Sequence, residues 1–495
     1  MADNLKAKTI NALSWSFLDS AGARGVQFII GIILARLLIP EQYGLIAMLS
    51  IFIAIAQSFI DSGFGSALIQ KQDASHLDEC SIFFFNIMLG FLAAGMLCLA
   101  APWIASFYRT PVLVPLTRAL SLNLIVNSFG IVQSALLSKR IKFKSLMRIN
   151  LSALVVSGCI GVAAAYRGYG VWSLVAQSVS STLVRTLLLW LSLSWRPSLL
   201  FSFNSLRTMF AFGSKLLFSG LLDQAYNNLL PVVIGKIYSA AELGLYTRAY
   251  SFQQLPVATV CDSIGRVTYP VFSTVQEDKP RLKHGVQKAL TTLVMLNFPL
   301  MLGLAIVAKP LVLLLLTEKW LPCVPYLQLL CGLGLLYPLH VINLNVLMAQ
   351  GRSDLFFRLE VLKKVLGVTL LALTYRWGIS IMIVGQIAGS IICYFLNSYY
   401  TGKFLGYSII EQLRDLSHCL ALSTLMAGVV YMMNFVTISH QVLLAILQIA
   451  SGAILYITLC WVTRLPSFVE SLEMIKPRFK QFVAFSDRVQ EFLSK

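Results

Sequence analysis

Charge is scarce in this chain, and acid is scarcer than base. Only 12% of its 495 residues are charged, and a soluble domain would carry roughly twice that fraction. The shortage excludes a soluble enzyme or a soluble binding module. Asp and Glu number 21 against 39 Lys and Arg, for a formal net charge of +18. In a soluble chain that surplus would point to nucleic acid. Here the cations fall mostly between apolar runs, so topology accounts for them and no nucleic acid is expected. Cysteine is present but unorganised. Nine are scattered, with no CxxC pair and no Cys/His cluster, and His76, His284, His340, His418 and His440 are dispersed. That pattern indicates neither a metal centre nor a disulfide framework. No cleavable signal peptide is expected, because MADNLKAKTI runs into the first apolar span with no small-x-small cleavage pattern.

What is present is apolar length. The chain is 57% apolar with a mean hydropathy of +0.77. Its apolar runs are near or above the roughly 20 residues needed to cross a bilayer. The expected fold is an all-α polytopic membrane protein of fourteen spans. They lie at 12–37, 44–66, 82–104, 116–138, 149–166, 171–192, 211–236, 251–274, 290–316, 326–349, 358–376, 379–401, 415–436 and 441–462. An even count puts both termini on one side. Lys and Arg concentrate at the termini and in the even-numbered loops, most densely in SKRIKFKSLMR at 138–148. The positive-inside rule therefore places both termini in the cytoplasm. The loops on the other side are all short.

The chain also says one thing twice. ILARLLIPEQYGLIAM at 33–48 is matched by VIGKIYSAAELGLYTR at 233–248. Each ends an apolar helix with a cation and turns through an acid and a Gly-Leu step. QSALLSKRIKFKSLMRIN at 133–150 parallels NLNVLMAQGRSDLFFRLE at 343–360, and YRGYGVWSLVAQ at 166–177 parallels YRWGISIMIVGQ at 375–386. The order is kept, so spans 1–6 and 7–12 read as two copies. Six spans per copy make the repeat parallel, a common transporter architecture. Residues 1–192 are then an N-lobe, 193–210 a cytoplasmic linker and 211–401 a C-lobe. Spans 13 and 14 occupy 402–463, outside the duplication, and 464–495 form a cytoplasmic tail.

The turn ARLLIPEQYGL at 35–45, followed by IDSGFGSALIQ at 60–70, resembles the polysaccharide-transporter branch of the multidrug/oligosaccharidyl-lipid/polysaccharide (MOP) exporter superfamily. Over about residues 5–465 the chain is especially similar to Wzx-type flippases of the colanic-acid exporter kind. The resemblance implies a flippase in the bacterial inner membrane. It would move an undecaprenyl-pyrophosphate-linked repeat unit, with Na⁺ or H⁺ as coupling ion and no cofactor. Its partners would be that lipid-linked oligosaccharide, membrane lipids, and the polymerase and glycosyltransferases of the pathway, with the protein acting as a monomer. In the resembling fold two six-span lobes enclose a cavity that spans 1 and 7 face.

Such a substrate needs a polar, preferably cationic path, and ionisable groups within spans usually face a bundle interior or a water-filled cavity. Arg24 lies midway along span 1, with Gln27 on the same face and Asp19 five residues earlier. It reads as an anion contact, or as a structural ion pair with Asp19 or Asp61. Asp61 closes span 2 in a glycine-rich setting, as a cap or as a cation site. Asp262 is its counterpart in span 8, and Arg266 sits four residues on, at ion-pair spacing. Lys215, Asp223, Asn227 and Asn228 mark a second polar track on span 7. Arg118 and Arg185 extend a positive path, although Arg118 is close enough to the surface to snorkel. Asn123, Asn127 and Gln133 on span 4, and Asn343 and Asn345 on span 10, are glycan contacts or bonds between helices. Pro256, Pro270, Pro299 and Pro338 would kink or break their spans. Arg36 and Lys236 would anchor at the interface, with Glu41 and Glu242 nearby.

Two other functions fit parts of this pattern. A membrane polymerase or ligase needs reacting groups on a substantial outward loop, and the outward loops are short. A drug/cation antiporter on the same scaffold would favour acidic, aromatic-lined sites, and this chain places more cations than that within its spans.

Overall fold

A computed structural model describes residues 22–61, 64–71, 73–435, 441–471 and 473. The side chains of 208–213, 215–216, 262–263, 266–267 and 441 fall outside that description. Among the described residues the chain is helical, without strands. Helix α1 covers 22–37. It is followed by α2 (Pro40–Asp61), α3 (Phe64–Gln70), α4 (His76–Tyr108), α5 (Leu113–Ser128), α6 (Ile131–Lys139), α7 (Phe143–Tyr166) and α8 (Val171–Ser192). Then come α9 (Phe203–Asn227), α10 (Leu229–Ile237), α11 (Ala240–Thr274), α12 (Lys279–Leu315) and α13 (Val324–Ala349). The series ends with α14 (Ser353–Thr374), α15 (Ile379–Leu405), α16 (Ile409–Met432) and α17 (Gln441–Val462).

Nine of the described helical stretches are long and apolar enough to cross a membrane, or ten when α5 and α6 count as one span bent by 42°. The expected spans at 12–37, 211–236, 251–274 and 358–376 are helical over their described residues, apart from Asn228 and the turn at 375–376, but are not among those ten. The proline expectation resolves toward continuity. α11 contains Pro256 and Pro270, α12 contains Pro299 and α13 contains Pro338, and all three helices run on past them. The interruptions fall elsewhere, at Phe129–Gly130 and at Asn228.

Apolar side chains are exposed to a degree that water would not tolerate. Leu99, Trp103 and Leu191 are 75%, 75% and 80% accessible. A bilayer is their solvent, and large apolar patches need no other partner there. Polar signals instead mark the helix ends. Ser75 and Asp78 form a capping box at the start of α4, as Ser408 and Glu411 do for α16.

The chain forms two compact units. One holds the described residues up to Arg248 together with Leu315–Trp320, and the other holds Ala249–Leu314 and the described residues from Leu321 onward. In the first unit α4 packs with α5 and α7 with α8. A core of Phe64, Leu68, Phe83, Val132, Leu136 and Leu189 joins α3, α4, α6 and α8. The segment after α8 is pinned to the start of α4. Trp195 is buried in that core, and the Ser202 amide donates to Ser81 Oγ at 2.9 Å. In the second unit α15 packs against both α13 and α14, and Tyr456 of α17 donates to the Met295 carbonyl of α12 at 2.9 Å.

The two repeated turns meet within the first unit. A Cβ on Gly44 would lie 1.6 Å from the Ala240 carbonyl oxygen, and one on Gly244 would lie 1.8 Å from that of Pro40. No side chain fits either place, so glycine is required by close backbone approach. The glycine shared by the two sequence copies is thus the point where the copied turns touch.

Candidate functional site: a polar cavity at an interrupted helix

A cavity of about 510 Å³ opens in the first unit beside the interruption between α5 and α6. The end of α2 supplies Gln57 and Asp61, and α3 supplies Gly65 and Ser66. Asn123 and Asn127 come from α5, Ser134 and Ser138 from α6, and Thr182 and Arg185 from α8. Gln57 is one helical turn before Asp61, so both share a face, and Gln57 Nε2 donates to Asp61 Oδ1 at 3.1 Å.

The break between α5 and α6 frees backbone carbonyls, which in lipid must find donors within the protein. α8 provides them. Thr186 Oγ1 donates to the Val126 carbonyl at 3.2 Å and Trp190 Nε1 to that of Phe129 at 3.0 Å. Gly130 admits this approach, because a Cβ there would sit 3.2 Å from both Leu189 and Thr186. Arg185 then clasps the break. Its Nε donates to Asn150 Oδ1 at 3.1 Å, Nη1 to Asn127 Oδ1 at 3.5 Å and Nη2 to Ser134 Oγ at 3.4 Å. It therefore holds a residue on each side of the interruption and one on α7. Asn123 is 9% exposed; its Nδ2 donates to Ser178 Oγ at 2.9 Å, and its Oδ1 has no partner.

Of the sequence-derived residues, the cavity gathers Asp61, Asn123, Asn127 and Arg185. Arg24 and Gln27 lie on α1, partly buried and exposed respectively, and neither lines it. Arg118 is exposed on α5. Gln133 is fully buried, with no hydrogen-bond partner on either side-chain polar atom. Asp223 and Asn227 are exposed on one face of α9. Asn228 sits at the α9–α10 interruption, donating to the Gln224 carbonyl at 2.9 Å and accepting from Ser50 Oγ at 3.3 Å. Asn345 Nδ2 donates to Thr268 Oγ1 at 2.8 Å, and Asn343 and Gln412 bond each other through both amides. Asp19 and the side chains of Lys215, Asp262 and Arg266 lie outside the described residues.

Arg36 and Lys236 end their helices on carbonyls. Arg36 Nε donates to Leu315 O at 2.9 Å, while Lys236 donates to Phe107 O and lies over its ring. Sequence reading missed a cluster beside them. Trp320 is fully buried and donates to Ala35 O at 2.8 Å. The Arg248 guanidinium stands 4.4 Å from the ring centre of Tyr43 and 5.5 Å from that of Trp320. Nothing local signals it, because Trp320 is 285 residues from Ala35. Gln57 was also missed, and there a signal existed in its one-turn spacing from Asp61.

The family described as "Polysaccharide biosynthesis protein" matches residues 33–325. The lipopolysaccharide biosynthesis protein WzxC of Escherichia coli is 31% identical over 391 residues, covering 78% of this chain and 77% of that protein. The teichuronic acid biosynthesis protein TuaB of Bacillus subtilis is 31% identical over 308 residues, covering 61% of this chain and 63% of TuaB. Among solved structures, the lipid II flippase MurJ in an inward closed conformation aligns with a TM-score of 0.75 at 13% identity, over 91% of this chain and 98% of MurJ. A multidrug resistance MATE family transporter of the MOP superfamily, in an inward-facing conformation, aligns with a TM-score of 0.62 at 15% identity, over 80% and 98%. At such identities the structures show a shared fold.

Proposed function

The chain belongs to the polysaccharide biosynthesis protein family, and we propose that it is a flippase for undecaprenyl-pyrophosphate-linked oligosaccharide repeat units. It moves them across the bacterial inner membrane for exopolysaccharide, capsule or O-antigen assembly. The observation that carries this reading is the polar cavity within an otherwise apolar bundle. Polar groups are costly in lipid, and a cavity that collects them suits a passenger bearing hydroxyls. The sequence relatives named for polysaccharide biosynthesis support the choice of passenger.

With both termini in the cytoplasm, Asp61 and the α5–α6 break occupy the cytoplasmic half, where the substrate is loaded. Transport is by alternating access of two six-span lobes, without a chemical step, and a Na⁺ or H⁺ gradient drives it. The protein acts as a monomer beside the polymerase and glycosyltransferases of its pathway. Arg24, with Gln27, contacts the pyrophosphate. Arg118, Lys215 and Arg266 extend the cationic path, while Asn227, Asn228 and Asn345 complete the polar one. Asp19, Asp61, Asp223 and Asp262 are coupling or structural carboxylates.

Proteoliposomes holding the full-length protein test this directly. Repeat-unit glycolipid in one leaflet should become accessible to a membrane-impermeant lectin in the other. Arg24→Glu should abolish polymer export while the protein stays in the membrane at wild-type level, and unchanged export would remove its contact role. Transport indifferent to both Na⁺ and pH gradients would remove the coupling.

A further inference from the structure

Among the described residues, the thirteen that line the cavity include one carboxylate, Asp61, and one guanidinium, Arg185, so the described wall is formally neutral. A pyrophosphate carries at least two negative charges and would require more than one cation away from bulk water. The guanidinium among them is already engaged, since three of its nitrogens donate to Asn150, Asn127 and Ser134. The rest of the polar wall is carboxamide and hydroxyl.

Asn123 supplies an independent observation. It is nine-tenths buried in the cavity wall, and its Oδ1 is unpartnered. Turning the amide over would exchange which of its atoms lacks a partner without satisfying both. As placed this atom is closed off even from water, so a ligand supplies the missing bond only when the amide turns toward the cavity.

We propose that this cavity is a subsite for the glycan rather than for the pyrophosphate. Its ligand class is an uncharged, hydroxyl-rich sugar. Asp61 and Asn123 accept from sugar hydroxyls, while Ser134 and Thr182 exchange hydrogen bonds with others. The assignment rests on the flippase reading above and adds where the sugar is held. The volume lies within the roughly 300–1,000 Å³ of ligand pockets. Among the described residues no aromatic ring lines the cavity, so recognition is by hydrogen bonds that replace those to water. Each such bond gains little, and weak holding suits a site that its passenger must leave.

The test uses full-length protein in proteoliposomes and two probes, the lipid-linked repeat unit extracted from the host and undecaprenyl pyrophosphate without sugar. Asn123→Leu and Gln57→Leu are compared with wild type. One lost hydrogen bond should raise the glycolipid concentration for half-maximal transport by about tenfold. Inhibition by the sugar-free lipid should be unchanged. Equal weakening of both probes would place the pyrophosphate here and overturn the assignment. Variants that fold and treat both probes as wild type does would overturn it too. If Asn123→Leu does not fold, Gln57→Leu on the half-buried wall decides. A wild type that moves no glycolipid removes the flippase reading itself, whereas a wild type that moves it beside indifferent variants removes only the subsite.

Discussion

In the first copy the helix that begins at Leu113 stops at Ser128 and restarts at Ile131; in the second the corresponding helix runs unbroken from Val324 to Ala349. The repeat places Gly130 against His340 and Gln133 against Asn343. Gly130 leaves room for α8 and the rod breaks there. His340 instead fills its place, with Nε2 2.8 Å from Ser390 Oγ and Nδ1 3.1 Å from Asn397 Nδ2. Gln133 is buried without partners, whereas Asn343 is satisfied by Gln412. Gln412 belongs to α16, outside the duplication, so the first copy has no counterpart for it. One inherited bundle thus serves two ends. In the first unit, polar groups surround a cavity; in the second, the corresponding groups bond largely to each other and to an added helix.

The largest expected effect tests what the copies share. Gly44→Ala and Gly244→Ala each drive a Cβ into a carbonyl oxygen and should cost about 3 kcal/mol or more, read as loss of folded protein in detergent by size exclusion and thermal unfolding. Similar losses would support the pseudo-symmetry of the two turns, and a tolerated alanine at one would break it. Next comes a pair of opposite sign. Asn343→Leu leaves Gln412 unpaired and should cost about 1–3 kcal/mol, while Gln133→Leu removes an unpartnered amide and should be neutral or stabilising. Equal destabilisation in thermal melts would mean that Gln133 has a partner after all. The smallest effect lies in the turn after these spans. Ile141 has φ 57° where its counterpart Gly351 has φ 69°, a conformation a β-branched residue resists. Ile141→Gly should gain about 1 kcal/mol and Gly351→Ile should lose a similar amount or more. A loss from Ile141→Gly would show that the isoleucine side chain contributes more than its backbone strain costs.

Much of the fold was legible because the bilayer imposes simple requirements. Twenty apolar residues make a span, and a glycine kept at 44 and 244 marks a backbone contact. Part of the cavity was legible as well. Asp61, Asn123, Asn127 and Arg185 stood out as polar residues in apolar runs, the pattern expected of groups that avoid lipid. Their convergence was not legible. A helix such as α4 or α13 is apolar on every side, so periodicity does not say which face meets which neighbour. The prolines do not mark breaks, since α11, α12 and α13 continue through them, while the α5–α6 rod breaks at a glycine.

The sequence by itself determined the solvent, the order of the helices and the duplication, because hydropathy, charge placement and repetition are local or periodic properties. Only the tertiary structure decided which copy of the repeated span opens. A break in lipid persists where its freed carbonyls meet donors, and those donors, Thr186 and Trp190, come from sixty and sixty-one residues away. That meeting depends on how α8 lies against α5, a relation set by packing rather than written at either position.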